Sequence, residues 1–155
     1  MIKPSGINSQ ATLVKLALLD MQESTILHRQ VHPDLVQDNK FSSKIFEIGL
    51  VPVGQITSSV FVPKESDNNQ LSVYNGDKFS AEESHDHYIQ TLKSAGVVSV
   101  SLIECKSIQL DAIEDNLPFD GHSYIDFNTL NKSQAKIKAK KLKAMAVARD
   151  WTFKK

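Results

Sequence analysis

Leu27-His28-Arg29-Gln30-Val31-His32-Pro33 places two of the chain's five histidines and its first arginine within seven residues, and it alternates like a strand. Side chains on a strand point to opposite faces in turn. Ile26, His28, Gln30 and His32 therefore share one face, and Leu27, Arg29 and Val31 share the other. Neither face is wholly apolar. Pro33 holds His32 extended and ends the pairing.

Upstream, Ser9 can cap a helix, and Leu13, Leu16, Ala17, Leu19 and Met21 supply apolar surface. This predicts a helix from about Ser9 to Gln22 after a disordered lead-in over residues 1–8. Downstream, Asp34 to Lys40 is polar and reads as a turn. Strands are expected near Lys44–Ile48 and Gln55–Val62, split by Pro52 and Gly54 as in a hairpin, and Pro63 to Gln70 reads as a loop. Leu71-Ser72-Val73-Tyr74 alternates as a strand. Asn75-Gly76 follows as a turn in which both residues tolerate positive φ. Ser80 and Glu83 form a capping box that starts a helix to about Leu92. Val97 to Ile103 is the best strand and is expected at the sheet's centre. Residues 104–120 read as an acidic connection with one short helical turn, and His122 to Phe127 alternates as a further strand. Asn131 or Ser133 caps a last helix to about Asp150. Ile137, Ala144, Ala148 and Trp151 form its docking stripe; Lys132, Lys136, Lys140 and Lys143 form a solvated one. The sum is one α+β domain over 1–155. It is a mostly antiparallel sheet of five or six strands with an N-terminal, a middle and a long C-terminal helix.

A chain of 155 residues is one domain by size, and 41% hydrophobic with 23% charged residues is a globular composition. Net charge is zero, but Lys132 to Lys155 carries +8 and the first 131 residues −8. Such a basic segment suits phosphates, an acidic partner, or the acidic body of its own domain. The single cysteine, Cys105, lies in an apolar run and reads as a buried, unreactive thiol. No signal peptide and no membrane-length apolar run is visible, which points to the cytoplasm.

Few patterns carry chemistry. His85 and His87 stand near Glu82, Glu83 and Asp86. Residues two apart on a helix point to nearly opposite sides, so the two histidines cannot share one ion, and no metal site is expected. No phosphate-cradling glycine pattern and no nucleophile elbow occurs, and no cofactor is implied. His28, His32 and His122 are candidate bases for the many serines. Arg29 with His28 and His32 can donate to an anion. The alternation also suggests a division of labour. Arg29 would make a structural ion pair on its own face, while the histidine face is functional or solvent-exposed and His28 is dispensable for stability.

The order Arg29, Ser58-Ser59, Glu82-Glu83 resembles the arginine–serine–glutamate order of ADP-ribosyltransferases. It implies that arginine and serine hold a dinucleotide and that a glutamate, here Glu83, polarises the ribose. In that family the glutamate lies in a loop before a strand, whereas here it opens a helix. The stretches Leu27–Pro33, Ser58–Pro63 and Leu71–Asp77 resemble a set of small bacterial cytoplasmic proteins with no assigned activity. Three functions follow as expectations. The first is a protein-interaction module of a bacterial multi-gene system, of the toxin–antitoxin or defence kind. The second is a nucleotide-processing enzyme using His28, Arg29, His32 and Glu83. The third is nucleic-acid binding through Lys132, Lys136, Lys140 and Lys143. A concave pocket lined by His28, Arg29 and the serines would favour the enzyme.

Overall fold

The structure, a computed structural model, describes residues 21–36 and 56–154. Strand β1 spans Ile26–Val31, and a 3-10 turn, Pro33–Leu35, closes it. A second 3-10 turn covers Ser58–Phe61. Then come β2 (Gln70–Asn75), α1 (Ala81–Tyr88) and β3 (Gly96–Ser101). They are followed by α2 (Leu102–Ser107), β4 (Asp111–Glu114) and β5 (His122–Asp126). The last elements are α3 (Lys132–Arg149) and the short β6 (Phe153–Lys154). The fold is α+β: one sheet of six strands in the order β4-β5-β2-β1-β3-β6, antiparallel at every junction. No helix among the described residues is long and apolar enough to cross a membrane.

Register assigns the two faces of the sheet. Leu27 stands opposite Val100, and Leu71 opposite Ile125. These residues join Val31, Val73 and Val98 in the core, beneath Val60 and Phe61 of the second 3-10 turn and Ala135, Ala139, Leu142 and Ala146 of α3. The reverse face is polar. His28 pairs in register with Ser99, Gln30 with Val97, and Tyr74 with both His28 and His122. Helix α1 covers part of this face: the Gln30 amide nitrogen donates to Ser84 Oγ at 2.9 Å, and His85 is buried against the Phe153 ring.

Several expectations change. The stripe of α3 that docks is Ala135, Ala139, Leu142 and Ala146, whereas Ile137 is 55% exposed and Ala144 and Ala148 face solvent. Small residues let the helix lie close to the sheet, so its buried face looks no more apolar than its free one. Trp151 is only partly buried and packs on the rim of the core. It lies over Gly96, where an added Cβ would meet its ring at 2.9 Å. Strand β3 is buried throughout but stops at Ser101, one place from the sheet edge rather than at its centre. There Ser101 and Glu104 cap α2 reciprocally, a start hidden inside the apolar run Val97–Ile103. Cys105 is fully buried, on α2 rather than on a strand, and burial pushes its thiol up to about 12. The acidic connection contains β4.

Ile56 makes one bridge to Val36, and 58–61 is a 3-10 turn, so the described part of the expected strand Gln55–Val62, from Ile56 on, is not a strand. The turn expected at Asn75-Gly76 is present and leads into α1. Gly76 is needed because a Cβ there would collide with the Ile26 carbonyl, which its own N–H contacts at 2.7 Å. The lead-in, the strand near Lys44–Ile48 and the N-terminal helix lie outside the described residues, except that Met21 and Gln22 are described and not helical.

Candidate functional site

The site begins where two strands part. β1 pairs with β3 along its whole length, but with β2 only at Leu27↔Asn75 and His28↔Tyr74. Past Tyr74 the β1-facing edge of β2 has no strand partner among the described residues. Arg29 takes that place. Its Nε donates to the Val60 carbonyl at 2.8 Å, and one terminal nitrogen donates to the Ser72 carbonyl at 2.8 Å. The expected ion pair is not formed among the described residues. Among the described residues, two backbone carbonyls take two of the five guanidinium N–H donors and three remain. Desolvation by burial draws the Arg29 pKa below its usual value; the hydroxyl of Tyr88 and the carboxylate of Asp67 act against it.

Above the gap lies a cavity of about 870 Å3, inside the range typical of small-molecule sites. Arg29, His32, Asp34, Lys64 and Asp67 give it charged or ionisable groups. Tyr74, Tyr88 and Phe119 give it aromatic walls, and Leu35, Val62, Leu71 and Leu92 give it apolar ones. The rings interlock: Phe119 sits 5.1 Å from Tyr74 and 4.4 Å from His87, centroid to centroid. Tyr74 Oη lies 2.8 Å from His87 Nδ1, and burial, helped by neighbouring Tyr88, raises the Tyr74 pKa to about 12.

The four histidines on the cavity wall differ in role. His28 is 6% exposed. Its Nε2 lies 3.1 Å from the Phe79 carbonyl, which can only accept, so Nε2 carries the hydrogen and Nδ1 accepts from Ser99 Oγ at 2.8 Å. His28 is therefore a satisfied structural imidazole and not solvent-facing, which reverses the division of labour expected of it. His32 caps the first 3-10 turn, its Nδ1 accepting from the Asp34 N–H at 3.1 Å. His87 stands among the rings. His122 Nδ1 lies 2.6 Å from Asp115 Oδ1, and its Nε2 lies 3.2 Å from Ser72 Oγ.

Of the residues expected at the site, His28, Arg29 and His32 line the cavity and Glu83 does not. Glu83 is committed to its capping box: its carboxylate accepts the Ser80 N–H at 2.8 Å, and that bond holds it below the usual carboxylate range. Lys132, Lys136 and Lys140 are exposed on the free side of α3; Lys143 is partly buried, and none of the four borders the cavity. Ser72, Tyr74, His87, Tyr88, Asp115, Phe119 and His122 were not singled out as a set. They come from four separate segments, and only the β2–β5 register and the turn after β4 bring them together. Among the described residues, no three histidine, cysteine or carboxylate groups are placed to hold a metal ion.

Comparison with protein-family models, with curated proteins and with solved structures gave no match.

Proposed function

We propose that the protein is an enzyme acting on a small anionic, ring-bearing substrate of the nucleotide class, held in the cavity between β1 and β2. One observation carries this reading. The Arg29 guanidinium reaches a cavity wall that also holds aromatic rings, with three N–H donors to spare and no salt-bridged carboxylate among the described residues. Guanidinium binds phosphate through paired N–H donors, and aromatic walls stack a base. His32, whose Nδ1 accepts from the Asp34 N–H, carries its hydrogen on Nε2 and adds a second donor at the rim. Origin in the bacterial cytoplasm belongs to the same proposal.

Titration calorimetry with ADP, and with adenosine as its uncharged counterpart, tests the reading. ADP binds, adenosine binds at least tenfold more weakly, and Arg29→Lys, which keeps the charge but loses the fork, weakens ADP by about 10- to 100-fold. Equal affinity for the two compounds, or an Arg29→Lys variant that binds ADP like the parent, refutes it. A second reading concerns α3. Lys132, Lys136 and Lys140, with Ile137 55% exposed among them, support docking of an acidic protein partner.

A further inference from the structure

Ser72, His122 and Asp115 form a continuous chain of side chains at the cavity. Tyr74 faces His122 across the β2–β5 ladder and Ser72 faces Tyr124, so Ser72 and His122 are diagonal neighbours on the polar face. Asp115 is fixed independently, since its backbone N–H bonds the His122 carbonyl at 3.2 Å while its carboxylate meets the ring at 2.6 Å. An ionised carboxylate can only accept, so Nδ1 of His122 carries the hydrogen in the neutral ring. The lone pair of Nε2 is then aimed at Ser72 Oγ, 3.2 Å away. The Phe119 ring stands edge-on to the imidazole at 5.4 Å and limits its rotation. Ser72 is exposed and borders the cavity. A sheet face that merely satisfied its polar groups would not need a carboxylate behind the histidine or an exposed hydroxyl in front of it.

We infer that Ser72 is a nucleophile, His122 its general base and Asp115 the residue that orients the imidazole, and that together they hydrolyse an acyl ester bearing a phosphate or carboxylate. The anionic part of this assignment rests on the Arg29 reading above; the nucleophile does not. Ser72 Oγ bonds to the acyl carbon while its proton passes to His122 Nε2. The ester C–O bond then breaks, and the leaving oxygen takes that proton. Water, deprotonated by His122 in turn, attacks the acyl-serine and releases the acid and the free hydroxyl. Arg29 binds the substrate's anion one residue's breadth away, because it already holds the Ser72 carbonyl. Strand geometry turns the N–H and C=O of one residue to the same side, so the Ser72 N–H faces the same gap as that carbonyl. There it is placed to donate to the oxyanion of the intermediate.

The test uses the full chain and a biotinylated fluorophosphonate, in which attack by the serine oxygen expels fluoride. Labelling maps to Ser72 and is lost in Ser72→Ala, while His122→Gln and Asp115→Asn each slow it by about 100-fold or more. Ser72→Cys supplies a second readout, because Cys105 is buried and silent. Iodoacetamide alkylates the new thiol at least tenfold faster with His122 present than in the Ser72→Cys/His122→Gln double variant. Absence of phosphonate labelling at Ser72, or thiol alkylation indifferent to His122, overturns the inference. Neither measurement requires ADP to bind, so failure of the anion reading and failure of the nucleophile are seen separately.

Discussion

Arg29 and His28 are neighbours on one strand, and neither makes the contacts its own face predicted: Arg29 bonds two backbone carbonyls in place of a carboxylate, and His28 is buried. Alternation correctly put them on opposite faces, yet the fate of each side chain depended on groups far along the chain. Arg29 meets Val60 and Ser72, 31 and 43 residues away, and His28 meets Phe79 and Ser99, 51 and 71 residues away. Nothing within the seven-residue stretch encodes those partners. The consequence for His28 is measurable. Burial holds its pKa below the ordinary 6.5, so the folded state disfavours the imidazolium. Above that value neither state carries the proton and nothing is lost. As the pH falls below it, the unfolded chain protonates first, and stability declines until the folded pKa is reached. One such group contributes at most about 1.4 kcal/mol per pH unit. His28→Ala is expected to lose about 2–4 kcal/mol at neutral pH, from two lost hydrogen bonds and a cavity. It should also be less acid-sensitive than the parent when urea midpoints at about pH 7.5 and about pH 5.5 are compared. A variant as stable as the parent would return His28 to the functional face.

Helix α3 shows which element properties are legible. Its ends were readable, because Asn131 accepts the Gln134 N–H in a reciprocal cap and Asp150 breaks the helix with φ 70°. Its orientation was not. Lysine flanks Leu142 on both sides, and three of the four buried contacts are alanines. Leu142→Ala should therefore cost about 2–5 kcal/mol, and Ile137→Ala under about 0.5. Thermal melts of the two variants decide it: a larger loss in Ile137→Ala would restore the stripe built on that residue. The short elements fared worse for a related reason. α2 and β4 are six and four residues long, too brief for periodicity to separate them from the apolar run and the acidic stretch that contain them. The two capping boxes at Ser80 and Ser101 have the same spacing and the same geometry. Only the first follows a turn signal, Asn75-Gly76-Asp77-Lys78, that marks it as a start.

At the scale of the molecule, the antiparallel α+β class was legible from the count and spacing of strands, but the strand order was not, and the cavity follows from the order. Placing β1 beside β2 for only two residue pairs divides the sheet into two leaves of three strands, β4-β5-β2 and β1-β3-β6, bound along a short spine. Backbone protection should follow that division. In native-state hydrogen exchange, amides of β1 and β3 are expected to open with one free energy and those of β2 and β5 with another. Saturating ADP should draw the two values together. A single value across all four strands, unchanged by ADP, would contradict both points. The spine also sets a mechanical condition on occupancy. The Arg29–Ser72 bond already crosses from one leaf to the other, so a ligand held by both residues would work as a second stitch across the sheet, and its affinity would be spent partly on holding the book shut.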